Sequence, residues 1–377
     1  MHSIVAAAVL VGSLHNPSTL MAPVELIHSI DTNPAAGLLQ DNAGNFSGTT
    51  EKGGAMGYGT VFKLTSDGTY SSLHDFAGVL DGQTPLSDLI SDASGNLYGT
   101  TEYGGDGRDG VVFKVTPNGT ETVLYSLEGD IDGANPLAGV VMDSQGNLYG
   151  TTYYGGGQCS INPFACGTVF KVTAGGSEAV LHAFSCADGC FPMSGLILDK
   201  KGNLYGTTYD ADTGGGTIFE ITARNAFKTL FTFKEQSGGI NPTGRLLRDK
   251  NGNLYGTTNS GGANGYGTIF KLAIDGSETV LHSFTYAEGA LPRAGVISDR
   301  QVNIYGTASA GGNRSCGTVF KVTPDGHEST IHTFFPNQYI DGCGPRGELL
   351  QTKNGNLYGT TYSGGSDNPV TMFVITP

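Results

Sequence analysis

Apolar and polar positions alternate along most of this chain in runs of five or six residues, each bounded by Gly, Asn, Asp or Pro. A period of two predicts short β-strands rather than helices. One run recurs seven times, beginning at Asn45, Asn96, Asn147, Asn203, Asn253, Asn303 and Asn356, and six of the seven copies read N-[LI]-Y-G-T. The spacings of 51, 51, 56, 50, 50 and 53 residues match a propeller blade rather than a helical repeat.

Three further strand-like segments surround each copy. A short apolar run precedes it, such as Ala138 to Met142 or Ser194 to Leu198. A Gly-rich loop and then G-T-[VI]-F-[KE] follow it, as at Gly167 to Lys171 and Gly317 to Lys321. A turn such as Pro324-Asp325-Gly326 leads into a fourth segment such as Val280 to Phe284. Four strands per period make one blade, so the predicted fold is all-β, a single seven-bladed β-propeller with four strands per blade. The last period stops after its third strand, Met372 to Thr376, while Glu25 to Ile30 carries the fourth-strand pattern at the other end of the chain. Pairing the two predicts a ring closed by the N-terminal strand completing the last blade, which removes open sheet edges.

Composition agrees with this division: 60 glycines, about twice the usual ~7% share, with 14% charged residues and no Trp. Residues 24–377 are expected to form the propeller. Residues 1–23 hold the apolar run Ile4 to Gly12, too short to span a bilayer, which reads as a signal-peptide core or as an N-terminal extension. A net charge of −14 excludes the basic footprint that nucleic acid or an anionic membrane requires, leaving a small molecule as the expected partner.

The N-L-Y-G-T-T and G-T-V-F-K motifs, at this spacing, resemble the GloVer tandem-repeat family and, more loosely, the NHL-repeat propellers. The resemblance covers residues 24 to 377 and implies a fold, not an activity.

In such a ring the first strand of each blade is innermost. Loops between second and third strands, and from each fourth strand to the next blade, then share one face. The opposite face carries repetitive turns such as Asp143 to Asn147, which read as structural punctuation. His28, His74, His182, His282 and His332 occupy one equivalent fourth-strand position, filled by Tyr125 and Phe231 in the other two blades. Chemistry done once does not need five copies, so His-based hydrolysis and a His-ligated metal lose their key residue, and no metal or cofactor is expected.

The departures from the repeat cluster at the channel mouth. After the Pro entering each innermost strand stand Ala35, Leu86, Leu137, Met193, Thr243, Arg293 and Arg346. Two positions later Asp88, Arg245 and Glu348 interrupt a run of glycines, and Glu102, Tyr153, Tyr209 and Tyr362 end second strands on the same face. The pattern reads as an amphipathic small-molecule pocket, or as a charged rim in which Arg293 and Arg346 pair with neighbours such as Glu348.

All six cysteines fall on this face, and the simplest pairing is Cys159 with Cys166, Cys186 with Cys190 and Cys316 with Cys343. Asn118 and Asn313 head N-glycosylation sequons, and with the disulfides they point to the secretory pathway. Asp130 and Asp132 match no strong calcium motif.

In architecture and processing signals the chain is similar to secreted propellers of fungal natural-product clusters. These include the hetero-Diels–Alderases that join a tropolone quinone methide to a sesquiterpene. That similarity implies an apolar arc of Leu86, Leu137 and Met193 for the hydrocarbon and Arg293 or Arg346 on the quinone-methide oxygens. Tyr153 or Glu102 would serve acid–base loss of water, and no cofactor is needed. Thr243, Arg245, Tyr209 and Tyr362 complete the expected binding set. A carbohydrate-binding or polysaccharide lyase propeller, with tyrosines stacking on sugars and arginines neutralising uronates, is a second reading, and a non-catalytic scaffold a third.

Overall fold

The computed structural model describes residues 24–30, 34, 36–157, 159, 166–234, 238–335, 342–363 and 370–377. Seven antiparallel sheets follow one another along the chain, six of them four-stranded in simple sequence order. Blade 1 is typical: Leu39–Gln40, Phe46–Thr50, Thr60–Leu64 and Tyr70–Asp75. In blade 7, Leu350–Gln351, Leu357–Ser363 and Val370–Ile375 are completed by Val24–Ile30, with Val24 opposite Ile375 and Ile30 opposite Val370. The expected closure is therefore present, and the first strand of each blade lines the central channel. The leader-like run within residues 1–23 lies outside the described residues.

The repeat motif is explained by what each position touches. Its Tyr hydroxyl and Asn side chain bond to the Asp that opens the preceding turn, as in Tyr98 Oη to Asp92 at 3.0 Å and Asn96 Nδ2 to Asp92 at 2.7 Å. Its Gly lies opposite the Phe of the third strand, Gly48 opposite Phe62 in blade 1. A Cβ on Gly48 would sit 2.7 Å from the Phe62 ring, so only Gly lets that ring lie across the sheet. The last Thr bonds to the first Thr of the third strand, as in Thr50 to Thr60 at 2.9 Å and Thr258 to Thr268 at 2.8 Å, which satisfies buried hydroxyls in pairs.

Aromatic pairs cross most of the blade junctions among the described residues. Phe76 meets Phe113 at 5.2 Å, Phe233 meets Phe270 at 5.1 Å and Phe334 meets Phe373 at 5.1 Å, with all six rings buried. Such pairs add about 0.5–1.5 kcal/mol each beyond area burial. Hydrophobic stabilisation thus lies between blades as well as within them, and the ring stands as one unit.

Candidate functional site

In blades 2 to 6 a left-handed residue immediately before proline aims the inner strand at the channel mouth. Thr84, Asn135, Phe191, Asn241 and Leu291 have φ of 58, 56, 59, 60 and 55°, each followed by Pro. This backbone costs non-Gly residues on the order of 1 kcal/mol or more. Two hydrogen bonds hold it: the Phe191 N–H donates to the Cys166 carbonyl of the previous blade at 2.8 Å, and its own carbonyl accepts from Tyr209 N–H at 3.0 Å. Every such hinge therefore fixes an inner-strand entry and a second-strand end together.

Past the hinges, Leu86, Leu137 and Met193 form one wall of a cavity of about 130 Å³, and Thr243, Arg293 and Arg346 form the other. Thr243 Oγ1 donates to the Arg293 carbonyl at 3.1 Å. The Arg346 guanidinium lies 3.7 Å over the Tyr362 ring, a cation–π contact. Partial burial, and next the charge of Arg346, hold Arg293 below the usual guanidinium range. Among the described residues neither guanidinium makes an ion pair.

The rim reading gave Glu348 to Arg293 or Arg346, and here the structure differs. Glu348 accepts from Arg245, Nε to Oε2 at 3.0 Å and Nη2 to Oε1 at 2.7 Å, joining blades 5 and 7 across the channel. The bidentate fit is what makes this pair the strong one. Glu348 holds Arg245 far up, while burial pushes Glu348 up against Arg245's pull. Gly295 makes room for the carboxylate, since a Cβ there would lie 2.5 Å from Glu348 Oε2. Asp88 beside them accepts from Gly37 N–H at 2.6 Å. Arg245 is thus a floor residue, committed to Glu348 rather than free for ligand.

Glu102, Tyr153, Tyr209 and Tyr362 do not line the cavity. They end second strands around it. Burial, then Glu51, raises the Glu102 carboxyl against a hydrogen bond from Tyr103, and burial, then Tyr154 and Tyr209, raises Tyr153. The Tyr153 ring packs 5.2 Å from Phe191 and 4.5 Å from Tyr154. Phe191 escaped the sequence reading, although it departs from the Thr or Asn found before Pro in most blades.

The three disulfides pair as expected, Cys159–Cys166, Cys186–Cys190 and Cys316–Cys343, and the first two pack in one apolar cluster with Phe184 and Leu196. Three of the recurrent histidines bond a loop carboxylate: His74 to Asp81 at 3.2 Å, His182 to Asp188 at 2.9 Å and His282 to Glu288 at 3.2 Å. Asp132 accepts from Tyr125 at 2.8 Å, the same contact with a phenol in place of the imidazole. Asn118 and Asn313 are exposed. Among the described residues no helix is long and apolar enough to cross a membrane.

A family model, the Gloeobacter/Verrucomicrobia repeat, matches residues 23–215 and 159–373. No curated protein matches the sequence. Among solved structures, the extracellular domain of a candidate one-component system from B. thetaiotaomicron is 10% identical with a TM-score of 0.59, covering 92% of this chain and 39% of that one. A candidate 6-phosphogluconolactonase from Bacteroides uniformis is 16% identical with a TM-score of 0.55, over 84% and 88% of the two chains. A luciferin-regenerating enzyme is 13% identical with a TM-score of 0.50, over 94% and 95%. At these identities the likeness is one of fold alone.

Proposed function

The chain belongs to the Gloeobacter/Verrucomicrobia repeat family, and we propose that this member is a secreted, cofactor-independent enzyme acting at the upper channel mouth on a small apolar or aromatic molecule with an oxyanionic edge. The observation that carries the reading is the pair Arg293 and Arg346, uncompensated among the described residues and facing Leu86, Leu137 and Met193. An anionic oxygen offsets the guanidinium charge on one wall while the ring it belongs to is desolvated on the other.

The reaction that asks least of these residues is an intermolecular hetero-Diels–Alder addition of a tropolone-type quinone methide to a sesquiterpene. It needs no nucleophile, and holding both partners in contact supplies roughly 7–11 kcal/mol. A cavity of about 130 Å³ takes one small ring, so the oxygen-bearing partner enters it and the hydrocarbon lies over the rim beside Tyr153 and Phe191. Arg293 and Arg346 stabilise the charge that grows on oxygen as the new bonds form. The raised carboxyl of Glu102 gives a rim acid for loss of water from a hydroxymethyl precursor.

Calorimetric titration with tropolones, terpenoids and acidic oligosaccharides tests this, in the parent and in Arg293→Ala/Arg346→Ala. Charged hydrogen bonds contribute about 1.5–3 kcal/mol each, so the double variant should bind a tropolone at least about a hundredfold more weakly. A chiral product assay then reads the reaction. Binding of uronates alone would move the assignment to a carbohydrate-binding or lyase propeller, and no binding at all to a scaffold.

A further inference from the structure

Below the Arg245–Glu348 pair the channel widens into a chamber of about 1030 Å³, several times the volume above it. Both spaces touch Asp88, Gly139, Gly195, Arg245 and Glu348, so the ion pair is the partition between them. Immediately beneath it every blade contributes one aliphatic side chain: Leu39, Ile90, Val141, Ile197, Leu247, Ile297 and Leu350. Each of the seven packs in part against the apolar cluster of a blade junction, and together they leave a closed ring of branched side chains on the open channel. The preceding residues, Leu89, Val140 and Leu196 among them, are buried almost completely, whereas the seven keep part of their surface on the channel.

The lower rim is the opposite in character. Lys200, Lys201 and Lys250 line the opening and are exposed. The same turn position holds Asn42, Ala93 and Ser144 in blades 1 to 3 but Lys200, Lys250, Arg300 and Lys353 in blades 4 to 7. A protein of net charge −14 thus gathers cations on one half of one rim. The neighbouring carboxylates are occupied by their own turns: Asp199 accepts from Lys201 N–H at 2.8 Å and Asn203 N–H at 2.9 Å, and Asp249 from Asn251 N–H at 2.8 Å and Asn253 Nδ2 at 2.7 Å. None of the three lysines is in an ion pair among the described residues. The face first read as structural punctuation therefore carries its own chemistry.

We propose that this lower chamber is a second binding site, for a long-chain aliphatic carboxylate. Its tail lies within the aliphatic ring and its carboxylate at the rim against Lys200, Lys201 and Lys250. The reverse orientation places an anion beside Asp88 and Glu348, where the one cation, Arg245, is already bound in bidentate fashion. Depth fits a tail rather than a compact ring: from the Gly37 level to the Asp41 level is four strand residues, roughly 13 Å. The site is independent of the upper mouth because the partition separates them.

Calorimetric titration of the full chain with decanoate and dodecanoate, below their micelle concentrations, and with dodecanol tests the assignment. Dodecanoate should bind with unit stoichiometry and roughly fifteenfold more tightly than decanoate, since each of its two extra buried methylenes is worth about fourfold in affinity. Lys200→Glu/Lys201→Glu/Lys250→Glu, all at exposed positions, should weaken it at least tenfold and remove its dependence on salt. Arg293→Ala/Arg346→Ala should leave it unchanged. Equal binding of dodecanol, indifference to the lysine substitutions, or absence of binding would each overturn the proposal. Loss of binding in the upper-mouth variant would overturn it by placing the ligand above the partition.

Discussion

Replacing Glu121, Glu178 and Glu328 together by Gln is expected to stabilise the ring at pH 8 and to leave its stability at pH 5 nearly unchanged. Glu121, Glu178 and Glu328 open the fourth strands of blades 2, 3 and 6. Each faces an acid of the preceding blade junction, Asp81, Asp132 and Glu288 respectively. Burial first, and for Glu121 and Glu178 the neighbouring charge next, pushes the carboxyl up to about 7. Glu328 also reaches about 7, with a hydrogen bond from Thr330 opposing the rise. One oxygen of Glu121 and one of Glu178 are buried without a hydrogen-bond partner.

The folded carboxyl keeps its proton to about pH 7, while the unfolded one loses it near 4.5. Between those values the folded state binds more protons. Stability fully present below the unfolded value is therefore lost as pH rises through the folded one. A shift of this size corresponds to ~3 kcal/mol per site for a fully desolvated group, and partial exposure reduces that to ~1 kcal/mol each. Three sites give ~3 kcal/mol. With an unfolding entropy of about 2.1 cal/mol/K per residue over about 350 residues, the melting temperature should fall by about 4 °C from pH 5 to pH 8. Scanning calorimetry at both pH values and fixed ionic strength should show that fall in the parent and little of it in the triple variant. Equal slopes in the two proteins would refute the reasoning, as would a variant less stable than the parent at pH 8.

Two further outcomes follow from the closure and the partition. Glu348→Ala strands Arg245, whose side chain is 41% exposed to the channel, so the cost should be ~2 kcal/mol rather than the ~3–5 of a fully buried pair. Thermal melts should show a drop of about 3 °C that Arg245→Met/Glu348→Leu recovers. Deleting residues 24–30 uncovers the edge of Val370–Ile375. Light scattering should then show concentration-dependent association, and a monodisperse monomer with the parent's melting temperature would count against closure by that strand.

What the chain's repeat could reveal, it revealed at the level of blades. Seven copies of one motif carry the strand count, and the orphan third strand at one terminus with an orphan fourth at the other carries the closure. Pairing inside each blade is local to one period, while closure joins opposite ends of the ring's chain and was legible because each orphan strand carries the pattern that its partner lacks. The disulfide partners were legible for the same reason, lying in one loop or in consecutive ones. The mouth was half legible: Leu86, Leu137, Met193, Thr243, Arg293 and Arg346 stand at one repeat position, and a shared position means a shared layer of the ring. Which of them meet was not legible. Arg245 and Glu348 are 103 residues apart and on blades that are not adjacent, and only the closed ring brings them across the axis. Their pairing turns one channel into two chambers, frees Arg293 and Arg346 above and leaves the aliphatic ring below. Sequence period determines what each blade presents to the axis, because strand register is local. Tertiary structure alone decides which presentations meet, because the axis is where seven separate blades converge.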